Sequence, residues 1–232
     1  MRRQPLPWPS WQRSEDYYAE GQLVWLDADT LIRELTAEAR SLDDVARAFF
    51  GVSDGKAPTL TYGFEDVVAV LDAVAPHDWA GFFNRRLEAR EVGAPLDGLE
   101  RGGYRLVYRD SPSDFAALED AAADLVNLRF SVGLTVSSDG SLQEVIWDSP
   151  AYAVELVAGD KLVAVNGRAF SLQALTQAVG ETEGSGAVTL LVQHGQRARQ
   201  VVVSYRGGHR YPHLEPVPGA RRRLDEILKP RG

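Results

Sequence analysis

Histidine and acidic side chains are the groups in this sequence that could hold a metal ion or transfer a proton. The chain has four histidines among its 232 residues and no cysteine, so disulfides, thiolate ligands and cysteine nucleophiles are excluded. A His-Glu-x-x-His helix would hold zinc, with its glutamate as general base, but no histidine here begins that motif. His209 and His213 are four residues apart, yet Gly207, Gly208 and Pro212 argue against a continuous helix there. The sequence therefore predicts no metal site within this chain.

The acidic residues do not form a predicted catalytic pair. Asp27 and Asp29 lie in one predicted helix, and Asp43 and Asp44 lie in the first turn of the next. Acidic side chains are favoured in a first helical turn because they interact with the positive end of the helix dipole. Nothing in the sequence brings the four carboxylates into one cleft, so we expect structural roles for them.

The composition is typical of a folded globular protein. Apolar residues make up 44% of the chain and charged residues 25%, with a formal net charge of −8. We expect no nucleic-acid binding from so acidic a chain, and we interpret the short run Arg221-Arg222-Arg223 as solvated surface. No apolar run reaches the roughly 20 residues that a membrane-spanning helix needs. The first 13 residues lack the apolar region of a signal peptide, and the sequence leaves the compartment open.

The two halves of the chain differ in periodicity, which predicts an α+β fold. Apolar residues recur at helical spacing in the first half, and Ser14 and Ser41 are suitable N-caps. Tyr104–Arg109 alternates as a strand does, and an alanine-rich helix is expected at residues 115–125. The proline-rich tail after residue 206 is expected to hold one helical turn. The helices predicted in the first half cover residues 14–38, 41–51, 64–75 and 79–90.

The second half is predicted to be built around residues 130–167. Apolar and β-branched residues predict strands at residues 130–136, 143–147 and 161–165, and Asp139-Gly140 predicts a tight hairpin turn. Ser149-Pro150 favours the start of a short helix. A helix at residues 171–179 and strands at residues 187–193 and 199–205 are expected to complete this half.

Three segments of the second half resemble the circularly permuted PDZ domain of bacterial proteases. Ser131-Val132-Gly133-Leu134 is similar to the carboxylate-binding loop of that family. Asp148-Ser149-Pro150-Ala151 is similar to its Ser-Pro-Ala helix start. Gly159-Asp160-Lys161-Leu162-Val163-Ala164-Val165-Asn166-Gly167 is close to its Gly-Asp-x-Ile-x-x-Val-Asn-Gly motif, although Glu155 stands where the family usually has glycine. The resemblance implies a PDZ-like β-sandwich or barrel with two helices.

A PDZ domain binds an extended peptide by adding it as a strand to an exposed sheet edge. The resemblance implies that backbone amides of the loop hold the terminal carboxylate and that residues 134–136 form the edge strand. The helix at residues 171–179 would form the opposite wall and would favour an apolar terminal side chain. An alternative is that this face only seals the core, with the groove vestigial or filled by the chain itself. The predicted peptide-binding residues are Ser131, Val132, Gly133, Leu134, Thr135, Val136, Leu172, Leu175, Thr176 and Val179.

The whole chain resembles the C-terminal portion of the glycyl aminopeptidase family, family sixty-one of the zinc metallopeptidases. Segments that carry this resemblance include Asp16-Tyr17-Tyr18-Ala19-Glu20-Gly21, Ser41-Leu42-Asp43-Asp44-Val45-Ala46-Arg47-Ala48-Phe49-Phe50-Gly51, Asp78-Trp79-Ala80-Gly81-Phe82-Phe83 and Arg210-Tyr211-Pro212-His213-Leu214. The family has a thermolysin-like catalytic domain followed by a PDZ domain, and its members are often exported. Its zinc-binding His-Glu-x-x-His motif should lie upstream of this region.

One residue resembles a catalytic group of related enzymes. Tyr18-Ala19-Glu20-Gly21 is similar to the Tyr-x-Lys-Gly helix of zinc aminopeptidases, in which the tyrosine hydroxyl stabilises an oxyanion, with Glu20 in place of lysine. The resemblance therefore implies an oxyanion-stabilising role for Tyr18. The alternative is that Tyr17 and Tyr18 simply pack where this helix meets the next.

Two hypotheses about function follow. In the first, residues 1–126 are a mainly helical remnant of a metallopeptidase catalytic domain, residues 127–206 a PDZ domain and residues 207–232 a tail. The chain would then be inactive alone, because the zinc ligands of the parent enzyme would lie in the missing catalytic half, an expected partner. In the second, the chain is a self-standing module that binds peptide or protein C-termini without catalysis.

Overall fold

The computed structural model of the protein describes residues 17–52, 55–56, 59–90 and 93–230. The predicted N-cap Ser14 lies outside these residues. Residues 106–214 form one compact unit, and the described residues before 106 and after 214 form another. The elements in chain order are α1 (Tyr17–Leu35), α2 (Leu42–Phe50), α3 (Phe64–Val74), α4 (Trp79–Leu87), α5 (Asp97–Arg101), β1 (Tyr104–Arg109), α6 (Asp114–Ala122), β2 (Leu125–Leu128), β3 (Leu134–Ser137), β4 (Leu142–Val145), a 3₁₀ turn (Tyr152–Val154), β5 (Lys161–Val165), β6 (Arg168–Ala169), α7 (Leu172–Gly180), α8 (Thr182–Ser185), β7 (Ala187–His194), β8 (Arg197–Ser204), β9 (Tyr211–Pro216) and α9 (Arg223–Ile227).

The α+β fold predicted from periodicity is confirmed, with helices first and a strand-rich region after them. No helix in the described part of the chain is both long and apolar enough to cross a membrane. The domain bounds at residues 126 and 206 stay a prediction.

The helical unit packs α1 to α4 around one apolar core. Ile32, Leu71 and Trp79 are fully buried at its centre. The predicted N-cap Ser41 forms a capping box with Asp44 at the start of α2, since the Asp44 carboxylate accepts the Ser41 amide at 2.9 Å. Asp29 on α1 accepts the Leu42 amide at 2.7 Å, which ties α1 to α2.

The other unit contains a three-stranded sheet, in the order β2-β3-β4, and a four-stranded sheet, in the order β6-β5-β7-β8. Neighbouring strands within both sheets are antiparallel. Their buried side chains form one core with α7. The strand predicted at residues 161–165 is confirmed as β5, and Ser171 caps α7 by accepting the Ala174 amide at 3.0 Å.

The hairpin predicted at Asp139-Gly140 joins β3 to β4. The Asp139 carboxylate accepts hydrogen bonds from the Ser141 amide at 3.0 Å and from the Ser137 and Ser141 hydroxyls, each at 2.9 Å. These hydrogen bonds lower the pKa of the Asp139 carboxyl to about 2. Gly140 has φ +89°, so the turn uses the left-handed backbone that glycine adopts readily.

The helix predicted at residues 115–125 is wrong at its C-terminal end. α6 ends at Ala122, and Leu125–Leu128 forms β2 instead. Asp124 has φ +52°, a left-handed conformation that ends the helix and turns the chain. The Asp120 carboxylate then accepts the Asn127 amide at 3.1 Å, which fixes the return of the chain beside α6.

Two further strand predictions need correction. The strand expected at residues 130–136 begins only at Leu134, because residues 129–133 turn the chain from β2 into β3. The tail also contains β9, which the sequence did not predict, and it pairs with β1 as a separate two-stranded sheet. Pro212 argues against a strand at these positions, since proline lacks an amide donor and is tolerated only at unpaired positions of a strand.

Candidate functional site

The predicted carboxylate loop, residues 131–134, lies between β2 and β3. Ser131 is 6% exposed, and Val132 and Leu134 are fully buried in the core of the strand-rich unit. Gly133 has φ +85° and approaches Ser149 so closely that a Cβ there would overlap its side chain. A glycine is therefore needed at this position for both conformation and space.

Two amides of the loop, including that of the predicted donor Gly133, are engaged within the chain. The Ser131 and Gly133 amides both donate to the Leu128 carbonyl oxygen, at 3.1 and 3.0 Å. The Ser131 hydroxyl accepts the Arg210 amide at 3.0 Å. The Leu128 carbonyl thus accepts hydrogen bonds from both the Ser131 and the Gly133 amide, as one oxygen of a peptide carboxylate would be expected to do.

The prediction that residues 134–136 form an edge strand is wrong, because β3 is the central strand of its sheet. β2 pairs antiparallel with one side of β3, with Val126 opposite Val136 and Leu128 opposite Leu134. β4 pairs with the other side. Both sides of β3 are therefore occupied, and a peptide strand could add to it only by displacing β2 or β4. This arrangement agrees with the alternative in which the chain fills the groove itself. The sequence did not predict β2, because the helix predicted at residues 115–125 extends to its first residue.

The predicted opposite wall, α7, packs into the same core as the loop. Leu175 and Val179 are fully buried and belong to the cluster that contains Val132, Leu134 and Val136. Leu172 and Thr176 are half-buried, and the Thr176 hydroxyl donates to the Leu172 carbonyl at 2.8 Å. α7 contacts β2 as well as β5 and β7. The structure thus brings most of the predicted peptide-binding residues to one core, whereas Thr135 lies on the opposite face of β3 from Leu134 and Val136. The role of all these residues in binding stays a prediction.

Tyr18 lies in the first turn of α1, with 65% of its surface exposed. Its ring centre is 4.6 Å from that of Tyr17, which is 61% exposed. Neither tyrosine is buried, which argues against the alternative in which they pack where this helix meets the next. An exposed phenol is available to an active site supplied by another segment, and the catalytic role of Tyr18 stays a prediction.

Two histidines of the strand-rich unit have polar partners within that unit. Residues 209–213 are not helical, as predicted, and the His213 Nε2 atom lies 2.7 Å from the Ser111 carbonyl oxygen. The His194 Nδ1 atom lies 2.6 Å from the Asp160 carboxylate. Within the described ranges, no group of three or more histidine, aspartate or glutamate side chains is placed to hold a metal ion.

Comparison with known proteins identifies one domain of the chain. Residues 125–193 match the family model of the PDZ domain, so the region from β2 to β7 is a PDZ domain. The matched range begins at the first residue of β2. No curated protein sequence matches the chain.

Two solved structures are similar to the chain. An aminopeptidase N family protein from Idiomarina loihiensis is 18% identical, with a TM-score of 0.61 over 95% of this chain and 38% of that one. The PDZ domain of HtrA3, bound to a phage-derived ligand (FGRWV), is also 18% identical, with a TM-score of 0.25 over 49% of this chain and 92% of that one. The chain thus has the fold of a region of the Idiomarina protein, and it spans less than half of that protein's length.

Proposed function

We propose that this chain is the C-terminal portion of a zinc-dependent aminopeptidase similar to the glycyl aminopeptidases, with a PDZ domain appended to a helical part of the catalytic domain. The observation that carries this proposal is the similarity of fold between 95% of this chain and 38% of an aminopeptidase N family protein. The sequence resemblance described above supports the same assignment. The zinc of the intact enzyme would be bound by residues outside this chain, where it would activate a water molecule to attack the peptide bond.

Exposed aromatic side chains on the helical unit support this proposal. Phe49 makes edge-to-face contacts with Phe50 and Tyr62, with ring centres 5.0 Å apart in both pairs. Phe50 is 78% exposed and Tyr62 66% exposed, and Leu60 beside them in sequence is 59% exposed. Contiguous exposed apolar surface of this kind commonly marks an interface. We propose that the remaining part of the catalytic domain covers it.

A hydrolysis assay tests the proposal. The purified chain, incubated with zinc and a glycyl-peptide substrate, is expected to release no glycine above the background rate. The coding sequence upstream of Met1 is expected to contain an in-frame His-Glu-x-x-His segment. Robust zinc-dependent turnover by this chain would overturn the proposal. A promoter and ribosome-binding site directly upstream of Met1 would instead favour the second candidate, a self-standing PDZ module, which the match at residues 125–193 supports.

We further propose that the PDZ domain binds a peptide or protein C-terminus in competition with its own β2. β2 holds the side of β3 to which a peptide would add, and the Leu128 carbonyl takes two loop amides. A ligand must therefore replace these contacts. Its apparent affinity equals the affinity for the form with β2 released, multiplied by the fraction of molecules in that form. Binding should be weak in the free chain.

A disulfide between β2 and β3 should weaken peptide binding. Leu125 and Ser137 are directly opposite, and in the adjacent pair the Ser138 amide donates to the Asp124 carbonyl at 3.0 Å. Leu125 and Ser137 therefore form a non-hydrogen-bonded pair, whose Cα spacing of about 4.5 Å suits a disulfide. The chain has no native cysteine to interfere. Oxidised Leu125→Cys/Ser137→Cys is expected to bind an apolar C-terminal pentapeptide at least tenfold more weakly than the wild type, and reduction should restore binding.

The matched control places the disulfide in the other sheet. Thr189 and Val202 are opposite on β7 and β8, and Thr189 directs its backbone amide and carbonyl towards Asn166 rather than towards β8. The oxidised Thr189→Cys/Val202→Cys variant should bind the peptide as the wild type does. Isothermal titration calorimetry provides the affinities. Undiminished binding by the oxidised β2–β3 variant, or no binding by the wild type at any peptide concentration, would refute the competition.

A further inference from the structure

A cleft of about 520 Å³ lies between α6 and the outer face of the β2-β3-β4 sheet. Its walls come from the C-terminal half of α6, from alternate residues of β2 and from one residue each of β3 and β4. The side chains that face the core, including those of Val126 and Val136, lie on the opposite face of the same sheet. The cleft is therefore separate from the predicted peptide groove, and it lies wholly within the unit formed by residues 106–214.

Three polar side chains form a row across the floor of the cleft. Asn127 on β2 is opposite Thr135 on β3, and Thr135 is opposite Glu144 on β4. Directly opposite residues of antiparallel strands project side by side on one face. A continuous polar row on a sheet face that also carries a cleft offers hydrogen-bonding groups to a small molecule.

The central member of this row has an unused hydrogen-bonding group. Thr135 is only 8% exposed, and its hydroxyl oxygen has no hydrogen-bond partner among the described residues. A buried hydroxyl without a partner is unfavourable, because it has lost its hydrogen bonds to water. Thr135 lines the cleft, so a ligand seated there could supply the missing partner.

The charge of the cleft is predominantly negative. Glu119, Asp120 and Glu144 line it, together with one cation, Arg129. The Arg129 Nε atom lies 3.2 Å from the Glu144 carboxylate, so the guanidinium balances the negative charge of Glu144. Among the described residues, Asp120 accepts only the Asn127 amide, at 3.1 Å, and burial raises the pKa of its carboxyl above the usual value. A cation beside Asp120 would relieve this unfavourable burial of negative charge.

We infer that this cleft binds a small molecule with a primary ammonium group, which donates hydrogen bonds to the Asp120 carboxylate and the Thr135 hydroxyl. A primary ammonium supplies three N–H donors and one positive charge, and these match an acceptor hydroxyl and an acidic wall. A quaternary ammonium has the charge without the donors and would leave Thr135 unpaired. The inference does not depend on the proposed aminopeptidase role.

Two sources could supply such a group, and simple probes distinguish them. Glycinamide carries an α-ammonium, as a peptide N-terminus does, and n-propylammonium carries an alkyl ammonium. Each is titrated into the ¹⁵N-labelled full chain, with tetramethylammonium as the control cation. We expect saturable shifts at the Asn127, Thr135 and Glu144 amides with at least one primary amine and none with tetramethylammonium. A response to glycinamide alone identifies a peptide N-terminus, and a response to n-propylammonium alone identifies an alkylamine.

Variants separate the hydroxyl from the charge. Thr135→Val keeps the shape of the side chain and removes the hydroxyl, and it should weaken binding at least fivefold, whereas Thr135→Ser should retain it. Asp120→Asn keeps an acceptor for the Asn127 amide and removes the charge, and it should weaken binding at least tenfold. Asp114→Asn, at the other end of α6, is the matched control and should bind as the wild type does. Equal affinity of the wild type, Thr135→Val and Asp120→Asn, or the absence of saturable shifts in the wild type, would overturn the inference.

Discussion

Replacement of Asp27 by alanine is expected to destabilise the helical unit by about 3–5 kcal/mol, the cost typical of breaking a buried ion pair from one side. Asp27 on α1 is fully buried, and its carboxylate accepts the Arg86 Nη2 and Nε atoms at 2.6 and 2.9 Å. Arg101 pairs with the other carboxylate oxygen. Both guanidinium groups are less than a quarter exposed. The variant would leave two partly buried cations without their shared anion.

The same carboxylate joins three helices. Arg86 lies at the end of α4 and Arg101 at the end of α5, whereas Asp27 lies in the middle of α1. Gly98 of α5 approaches the Asp27 backbone so closely that a Cβ would overlap it. Loss of the carboxylate should therefore release α5 from α1, in addition to destabilising the unit as a whole.

Urea denaturation, followed by tryptophan fluorescence and far-UV circular dichroism, measures the effect. Glu65→Gln is the control, because Glu65 is an exposed acid on α3 and surface substitutions usually change stability by less than about 0.5 kcal/mol. The loss of stability in Asp27→Asn should lie between those in Asp27→Ala and Glu65→Gln, since the amide oxygen still accepts hydrogen bonds from one guanidinium. A loss below about 1 kcal/mol for Asp27→Ala would mean that Glu34 and Asp97, which also pair with these arginines, take over the role.

Local signals in the sequence predicted the helices well. Ser41 predicted the N-cap of α2, because a capping side chain acts on amides within the first turn of its own helix. The burial of Asp27 could not be predicted in this way. Its partners are 59 and 74 residues away, and only the packed structure brings them to one carboxylate.

The sequence predicted the loop and the helix of the candidate site but not the pairing of the strands beside them. The resemblance to PDZ domains located the loop at Gly133 and the helix α7, which do share one core. β2 was missed because the helix predicted at residues 115–125 extends to Leu125, the first residue of β2, and the left-handed Asp124 that ends α6 has no strong sequence signature. This single error hid the occupied side of β3. It also hid the row that places Thr135 in a cleft of a different face.

Replacement of Gly133 by alanine is expected to destabilise the strand-rich unit by about 2–4 kcal/mol, because two independent costs add. With φ +85°, the backbone of Gly133 is in a region that an alanine enters only with strain of about 1–2 kcal/mol. The new Cβ would also overlap the Ser149 side chain. Ser149 cannot move freely, since its hydroxyl accepts the Tyr152 amide at 3.1 Å and caps the 3₁₀ turn.

The matched control is Gly159→Ala. Gly159 has φ +90° and no atom near the position of a Cβ, so this variant carries the backbone strain alone and should cost about 1 kcal/mol. The difference between the two variants isolates the overlap with Ser149. In Gly133→Ala/Ser149→Gly the overlap is absent, so part of the loss should be recovered even though the cap is removed.

The effect should extend to the candidate groove, because the Gly133 amide donates to Leu128 and the Gly133 carbonyl accepts the Ile146 amide at 3.0 Å. Strain at Gly133 therefore acts on the contacts that hold β2 and β4 beside β3. Amide hydrogen exchange is expected to accelerate in Gly133→Ala at Ser131, Gly133 and Ile146, and to stay unchanged at these amides in Gly159→Ala. Equal stability and equal exchange in the two alanine variants would show that the loop yields to the extra methyl group, and that β2 is held by its ladder with β3 alone.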